Sequence, residues 1–380
     1  MVTEKLFYQD PFLREFTASV LSCEPVKRGY AVVLNRTAFY PEGGGQPADH
    51  GVLSGARVVD VHEKDGKIIH TCDHALETGL LVSGTIDWER RFDHMQQHSG
   101  EHILSGLICS THHCDNVGFH LGADTVTIDF NTALTESNVE ELERRANQYI
   151  WEDHPISISF PAPEELESLE YRSKKELSGE VRIVAFPGAD CCACCGTHVA
   201  RSGQVGLVKI LSCQKFRDGV RLEILSGRRA LSYLSLTWTQ NRTVAQNLSA
   251  KPTDTAAAVE RLAAELAVEK TRCAKLEESV FAALAEQNKG MGNVVLYQDA
   301  MGPDAVRRLA DAVASACGGR CCVFAGEERQ WNYALVEHGG DLKDFVTSLN
   351  TALQGRGGGR NGFAQGSVQA SKEEIEAFFA

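Results

Sequence analysis

The residues best equipped for chemistry stand in two short elements far apart in the chain: His98-Ser99-Gly100-Glu101-His102 and Cys194-Cys195-Gly196-Thr197-His198. Each offers two metal ligands with three residues between them. Residues four apart share a face of a helix, so His98 and His102 can hold one ion together. Cys194 and His198 would complete the shell. Three imidazoles and one thiolate suit a borderline-soft ion, and the cofactor expected is one Zn2+. His94 lies one turn before His98, so helix geometry alone does not choose the pair that binds. Cys192 and Cys195 remain alternatives to Cys194, which has the three-residue gap to His198. Glu101, between the two histidines, reads as a supporting partner, as a base, or as a solvated helix residue.

A second signal is Thr37-Ala38-Phe39-Tyr40-Pro41-Glu42-Gly43-Gly44-Gly45-Gln46-Pro47. Gly43, Gly44 and Gly45 allow positive φ and close approach of backbone to a ligand. Phe39 and Tyr40 can pack beneath such a loop, and Thr37 and Gln46 supply short polar groups beside it. The bland alternative is a tight β-turn.

These elements need a scaffold. The first ninety or so residues read as strands, with Asp65-Gly66 a hairpin turn between Val58–His62 and Lys67–His70. A helical pattern begins near Phe92 and carries His94, His98 and His102. Strand-like stretches follow at 125–130, 156–160, 181–186, 206–211 and 220–225, with a helix over 139–151. From Arg228 to about Asn288 the chain reads as helical, interrupted near Pro252. Val259, Leu262, Leu266, Cys273, Leu276, Val280 and Ala283 follow a three-four spacing broken by Glu269. That seam fits a coiled-coil-like arm or an amphipathic helix packed on its own domain. The last ninety residues alternate strands and helices around a glycine-rich loop, 355–362, and end in a helix capped by Ser371 and Glu374. The fold class expected is α+β. The domains expected are a β-rich, barrel-like glycine-motif domain (1–90), a zinc-containing domain (91–235), a helical arm (236–290) and a small α/β domain (291–380).

Composition bounds the rest. The chain has 380 residues, enough for several domains, and no apolar run that could span a bilayer. The first ten residues lack an apolar signal core. Four of the thirteen cysteines crowd into 191–195, where neighbours make poor disulfide partners, so reduced thiols in a cytoplasm are expected. A net charge of −13 argues against a generic polyanion binder. Local basic groups remain: Arg217, Arg221, Arg228 and Arg229 as one cluster, Arg356 and Arg360 as another.

The ordered set of motifs resembles a known family. Thr37 to Asp49 with Gly51, Ile86-Asp87-Trp88-Glu89-Arg90-Arg91, His98 to His102, and Cys194 to His198 look like the editing region of alanyl-tRNA synthetases and the free-standing alanyl-tRNA editing proteins of the AlaX family. Gly203 to Leu207 and Arg217 to Arg221 match the stretch after the cysteine motif. The glycine-rich loop with Ala364-Gln365-Gly366 resembles the synthetase C-terminal domain. The chain begins at the β-rich domain, which points to the long free-standing form without synthetase activity. Cys195 departs from the glycine usual after the cysteine.

The resemblance implies a trans-editing hydrolase that cleaves the ester on mischarged tRNA(Ala), chiefly Ser-tRNA(Ala), with Gly-tRNA(Ala) a further substrate. It implies catalytic roles for Thr37, Gln46 and Glu101, with Thr37 meeting the serine hydroxyl and Gln46 beside it. Gly43, Gly44, Gly45, Arg356 and Arg360 would bind substrate, and the arm or C-terminal domain could join a homodimer. Four protein ligands are more usual in structural zinc sites. The competing readings are a non-catalytic zinc-containing tRNA-binding protein, an editor of another tRNA such as Ser-tRNA(Thr), and a zinc or redox sensor.

Overall fold

The computed structural model describes residues 2–173 and 181–380. They divide into two units, 1–241 and 242–380, with the boundary inside helix Gly227–Asn247. The chain is mixed α+β.

In the first unit, six antiparallel strands pair in a closed ring. Around it run Glu15–Val26, Gly29–Leu34, Lys67–Cys72, Ala56–Lys64, Gly51–Leu53 and Leu81–Ile86, which returns to the first. Alternation drives this closure: Phe16, Ala18 and Val20 point inward while their neighbours face out. Asp65 and Gly66, both at positive φ, make the two-residue turn expected between Lys64 and Lys67. The ring encloses its own apolar core, including Val32, Leu34, Leu53, Val61, Ile68 and Val82.

The ring leads into helix Trp88–His112, opened by Asp87, whose side chain accepts from the Arg90 N–H. The helix starts four residues earlier than the apolar pattern suggests, because this cap lies upstream of Phe92. Leu104 and Ile108 join Val126, Ile128, Leu222 and Ile224 in a second core. A four-stranded antiparallel sheet, in the order Val208–Phe216, Gly219–Ser226, Val126–Phe130 and Asn116–Leu121, supplies much of it. Gly100 and Gly106 permit close crossings: a Cβ would lie 2.1 Å from Ser226 Oγ and 2.2 Å from the Ala189 carbonyl oxygen, respectively. Gln97 bonds both backbone groups of Ser226 at 2.8 Å, tying the hairpin end to the helix. A three-stranded sheet orders Ser157–Ser159, Ile183–Phe186 and Asp190–Ala193, and delivers the cysteine motif to the helix.

The four arginines read as one basic cluster are separated. Arg217 and Arg221 lie toward the turn end of the hairpin, where both cover Phe216, and Arg221 is paired with Asp129. Arg228 and Arg229 lie beyond the other end of Gly219–Ser226, paired with Glu89 and Asp93.

In the second unit, helix Thr255–Gln287 carries the apolar seam. Val259, Leu262, Leu266, Leu276 and Val280 are exposed, whereas Phe281 and Ala285 pack on the domain core. A five-stranded sheet runs Gly292–Gln298, Gly318–Glu327, Gln330–Val336, Phe363–Val368 and Arg356–Arg360. The first pair is parallel and the rest antiparallel. The stretch expected as a glycine-rich loop is therefore largely an edge strand, closed by Asn361 and Gly362 at positive φ. Its glycines serve close approach: a Cβ on Gly359 would stand 1.8 Å from the Phe363 carbonyl oxygen, and one on Gly357 2.4 Å from Tyr333 Oη. Ser371 and Glu374 form the expected capping box. Among the described residues, no helix is long and apolar enough to cross a membrane.

Candidate metal centre

His98, His102, Cys194 and His198 come together, with one ligand atom from each within 4.8 Å of all the others. Helix periodicity supplies the first two. The third and fourth arrive on the segment after strand Asp190–Ala193. Cys194 Sγ lies 3.4 Å from His98 Nε2 and 3.6 Å from His198 Nε2.

The tautomers follow from the outer hydrogen bonds. His98 Nδ1 donates to Gln46 Oε1 at 2.9 Å, so Nε2 carries the lone pair. His102 Nδ1 meets the Asp190 carboxylate at 2.8 Å, and its Nε2 is buried without a hydrogen-bond partner. An orphaned buried nitrogen facing a thiolate is what a bound metal would satisfy. The donor set, the lone pairs and the outer partners Gln46 and Asp190 all fit a divalent ion of zinc's preference.

Electrostatics distinguishes the thiols. Burial opposes ionisation of Cys194, but His98, His198 and His102 outweigh it and hold the thiol well below its ordinary value. Burial also opposes charge on His102, yet the Cys194 thiolate and Asp190 raise its pKa to about 10. Burial pushes His198 down to about 3. Cys192 stands instead near His102 and Asp190, with a thiol that burial pushes up. Cys195 is exposed.

The glycine segment meets this centre through Gln46. Gly44 and Gly45 have φ of 60° and 85°, and Gly43 and Gln46 exchange backbone bonds at 3.1 and 3.0 Å across them. Two consecutive positive φ values make the tight turn of the bland reading, and side chains there would be strained. The turn is also anchored: Tyr40 Oη donates to the Gly43 carbonyl, and the Leu121 N–H donates to that of Gly45. A Cβ on Gly45 would fall 2.7 Å from Phe119, whose ring stacks on His98 at 4.9 Å. Gln46, with no exposed surface, accepts from His98 and from the Thr197 N–H, and donates to Thr197 Oγ1 at 2.9 Å. One side chain thus ties the glycine turn to both ligand-bearing segments.

Thr37 lies elsewhere. It is fully buried, with its hydroxyl 2.9 Å from His70 Nε2. His70 Nδ1 must donate to the Val32 carbonyl, so the Thr37 hydroxyl donates to Nε2 while accepting from the Phe39 N–H. Burial lowers His70 to about 4, keeping the ring neutral. The Thr37 hydroxyl thus lies inside the barrel wall, with its proton engaged by His70. Glu101 is buried rather than solvated, accepting from Ser105 Oγ at 2.8 Å and Asn116 Nδ2 at 2.6 Å. Arg356 and Arg360 are exposed on the edge strand of the second unit.

Sequence reasoning missed Asp190, which orients His102 and pairs with Arg172. It also missed Gly196, where a Cβ would lie 2.2 Å from His98 Cε1. A carboxylate just before a cysteine motif was the available signal for the first.

Comparison with known proteins places this geometry. The family described as class II (A) tRNA synthetases matches residues 11–90, and the threonyl and alanyl tRNA synthetase second additional domain matches 181–222. The alanyl-tRNA editing protein AlaX-L of Pyrococcus horikoshii is 29% identical over 98% of this chain and 96% of its own length. The alanyl-tRNA editing protein Aarsd1 of Danio rerio is 28% identical over 97% of this chain and 95% of its own. The alanine–tRNA ligase of Archaeoglobus fulgidus is 32% identical over 97% of this chain, which spans only 42% of the ligase. Almost end to end, the chain is similar to the alanyl-tRNA editing proteins AlaX-L and Aarsd1, and over nearly its whole length to a part of the alanine–tRNA ligases.

Proposed function

We propose that the protein hydrolyses the ester joining a wrong amino acid, chiefly serine and also glycine, to the 3′ end of tRNA(Ala), acting in trans in the cytoplasm. The observation that carries this reading is Gln46. It joins the tight glycine turn to His98 and Thr197 in a chain similar to editing proteins.

His98, His102, Cys194 and His198 would hold one Zn2+. When bound, zinc would polarise the ester carbonyl or lower the pKa of a water. Cys194 is the one ligand with partial exposure, so the substrate would arrive from its side. The turn at Gly43, Gly44 and Gly45 would admit the terminal ribose close to backbone. Gln46 would hold His98 in place, and Thr37 would act by fixing Phe39 and His70 behind the turn. Glu101 would shape the buried floor through Ser105 and Asn116. Synthetase pockets reject a near-isosteric amino acid poorly, which is why a second site that bonds the serine hydroxyl is useful. Arg356 and Arg360 would contact phosphate from the C-terminal domain, and a second copy would cover the exposed seam from Val259 to Val280. The boundaries near residues 90, 235 and 290 belong to the same proposal.

The closed four-ligand set favours one other reading, a zinc-stabilised tRNA-binding protein without hydrolysis. Purified protein should be offered Ser-tRNA(Ala), Ser-tRNA(Thr) and Ser-tRNA(Ser). Loss of serine from the alanine tRNA alone is expected. Binding of charged tRNA with no release of serine would favour the second reading, and selective attack on Ser-tRNA(Thr) would reassign the substrate.

Metal uptake should depend on pH with a defined sign. In the metal-free site His102, raised to about 10, holds a proton through the neutral range, while the three imidazoles hold the Cys194 thiol well below its ordinary value. Zinc must displace that one proton, so affinity should rise about tenfold per pH unit between about pH 6.5 and 8.5. Chelator competition across that range measures the slope. A slope near two would mean that Cys194 is still a thiol before metal binds.

A further inference from the structure

Beside the metal centre lies a separate cavity of about 420 Å3, lined among others by Pro47, Arg90, His94, Arg228 and Arg229. We propose that it is a binding site for a backbone phosphodiester of a single-stranded nucleic-acid 3′ end, contacted by Arg90, Arg228 and His94. The proposal rests on the tRNA reading and adds a subsite to it.

His94 points to a ligand. It is 2% exposed, lines the cavity, and its Nδ1 is buried without a partner. Buried polar atoms are normally bonded, and leaving one unpaired costs stability. Burial, then Arg90, Arg229 and Arg91, push the ring down to about 3, so it is a neutral group among cations.

The cations come from two distant segments and differ in their commitments. Arg229 is locked, making a forked pair with Asp93 and donating to the Gly122 carbonyl at 2.7 Å. Arg90 gives only Nε, to the Ala48 carbonyl at 2.9 Å, and among the described residues its terminal nitrogens have no bonded partner. Arg228 meets Glu89 at 3.0 Å with both side chains largely exposed, a pair worth little and readily exchanged. Three guanidiniums therefore face two carboxylates, an excess of one positive charge. A planar fork of donors suits a phosphate oxygen pair.

Position supplies the connection. His94 is one helical turn from His98, about 6 Å along the axis. Pro47 follows Gln46, which bonds His98. A strand whose terminus sits at the metal centre would lay a preceding phosphate in this cavity.

The test uses zinc-loaded full chain and a fluorescent acceptor minihelix ending in single-stranded CCA, read by anisotropy over a salt series. Arg90→Gln should weaken binding about tenfold and reduce the slope of log affinity against log salt by about 0.7–0.9, one phosphate contact. Glu89→Gln should tighten binding about two- to threefold by releasing Arg228, a gain that misfolding cannot mimic. Unchanged affinity and slope in Arg90→Gln, or no gain in Glu89→Gln, would overturn the subsite. Titration with inorganic phosphate alone should show no saturable binding at millimolar concentration. Saturable binding lost in Arg90→Gln would overturn the nucleic-acid assignment in favour of a free anion. Hydrolysis is not the readout, so this site and the deacylase reading can each fail separately.

Discussion

Cys194→Ala is expected to leave a protein that holds no stoichiometric zinc after dialysis against a chelator and deacylates Ser-tRNA(Ala) about 10²–10³-fold more slowly. The magnitude is that of losing a preorganised electrostatic group at a developing charge. The specificity of the expectation lies in its neighbours. Cys195 is exposed, and Cys192 is a buried thiol pushed towards its neutral form near Asp190. Cys195→Ala should therefore keep both zinc and activity. The Cys194 variant also leaves His98, His102 and His198 as three imidazoles without the thiolate that faces them. Zinc content and single-turnover rate, measured on the same preparations, check the claim. Full zinc with lost activity would remove Cys194 from the ligand set.

Asp49→Ala is expected to cost about 3–5 kcal/mol of stability, the largest loss from any single polar change in the first unit. Arg91 and Asp49 both have no exposed side-chain surface. Arg91 Nε lies 3.1 and 3.0 Å from the two Asp49 oxygens, and Nη2 bonds Asp49 as well. The same guanidinium donates to the carbonyls of Pro11 at 2.8 Å and Ala38 at 2.6 Å. Asp49 also accepts from the Tyr40 N–H at 2.6 Å. The pair therefore pins both ends of the glycine segment to the helix that carries His98. Removing the carboxylate strands a buried charge and leaves the Tyr40 N–H without its acceptor. Replacing both partners by apolar residues of similar volume should recover part of the loss, because desolvation of the charges is then avoided. Urea midpoints for the single and double variants measure this. A midpoint for Asp49→Ala within experimental error of the parent would show that the pair holds nothing together.

The pairing of His98 with His102 was readable because helix periodicity turns a sequence gap of four into a shared face; Cys194 and His198 have the same gap but lie on an irregular segment, where that rule does not apply. The choice among Cys192, Cys194 and Cys195 was not readable, since it depends on which thiol the strand Asp190–Ala193 turns toward the imidazoles. Asp190 was missed for a related reason: its place before the cysteine motif marked it, but no spacing rule links it to His102, 88 residues away. The partner of Thr37 was not readable from its place near the glycines in sequence. The barrel turns it inward to His70, a contact across strands that no local pattern encodes. The run Arg356 to Arg360 read as a loop because glycine composition marks both loops and crowded strands, and only the approach of Phe363 and Tyr333 tells them apart. The arginines between 217 and 229 looked like one patch until an intervening strand separated them.

The most direct measurement is single-turnover deacylation of Ser-tRNA(Ala) and Ala-tRNA(Ala) by the zinc-replete protein, repeated after metal removal and again after zinc is restored. Fast release of serine, little release of alanine, and loss and recovery of that rate with zinc are expected. Stable Ser-tRNA(Ala) in the presence of protein that is zinc-loaded and bound to the tRNA would contradict the account.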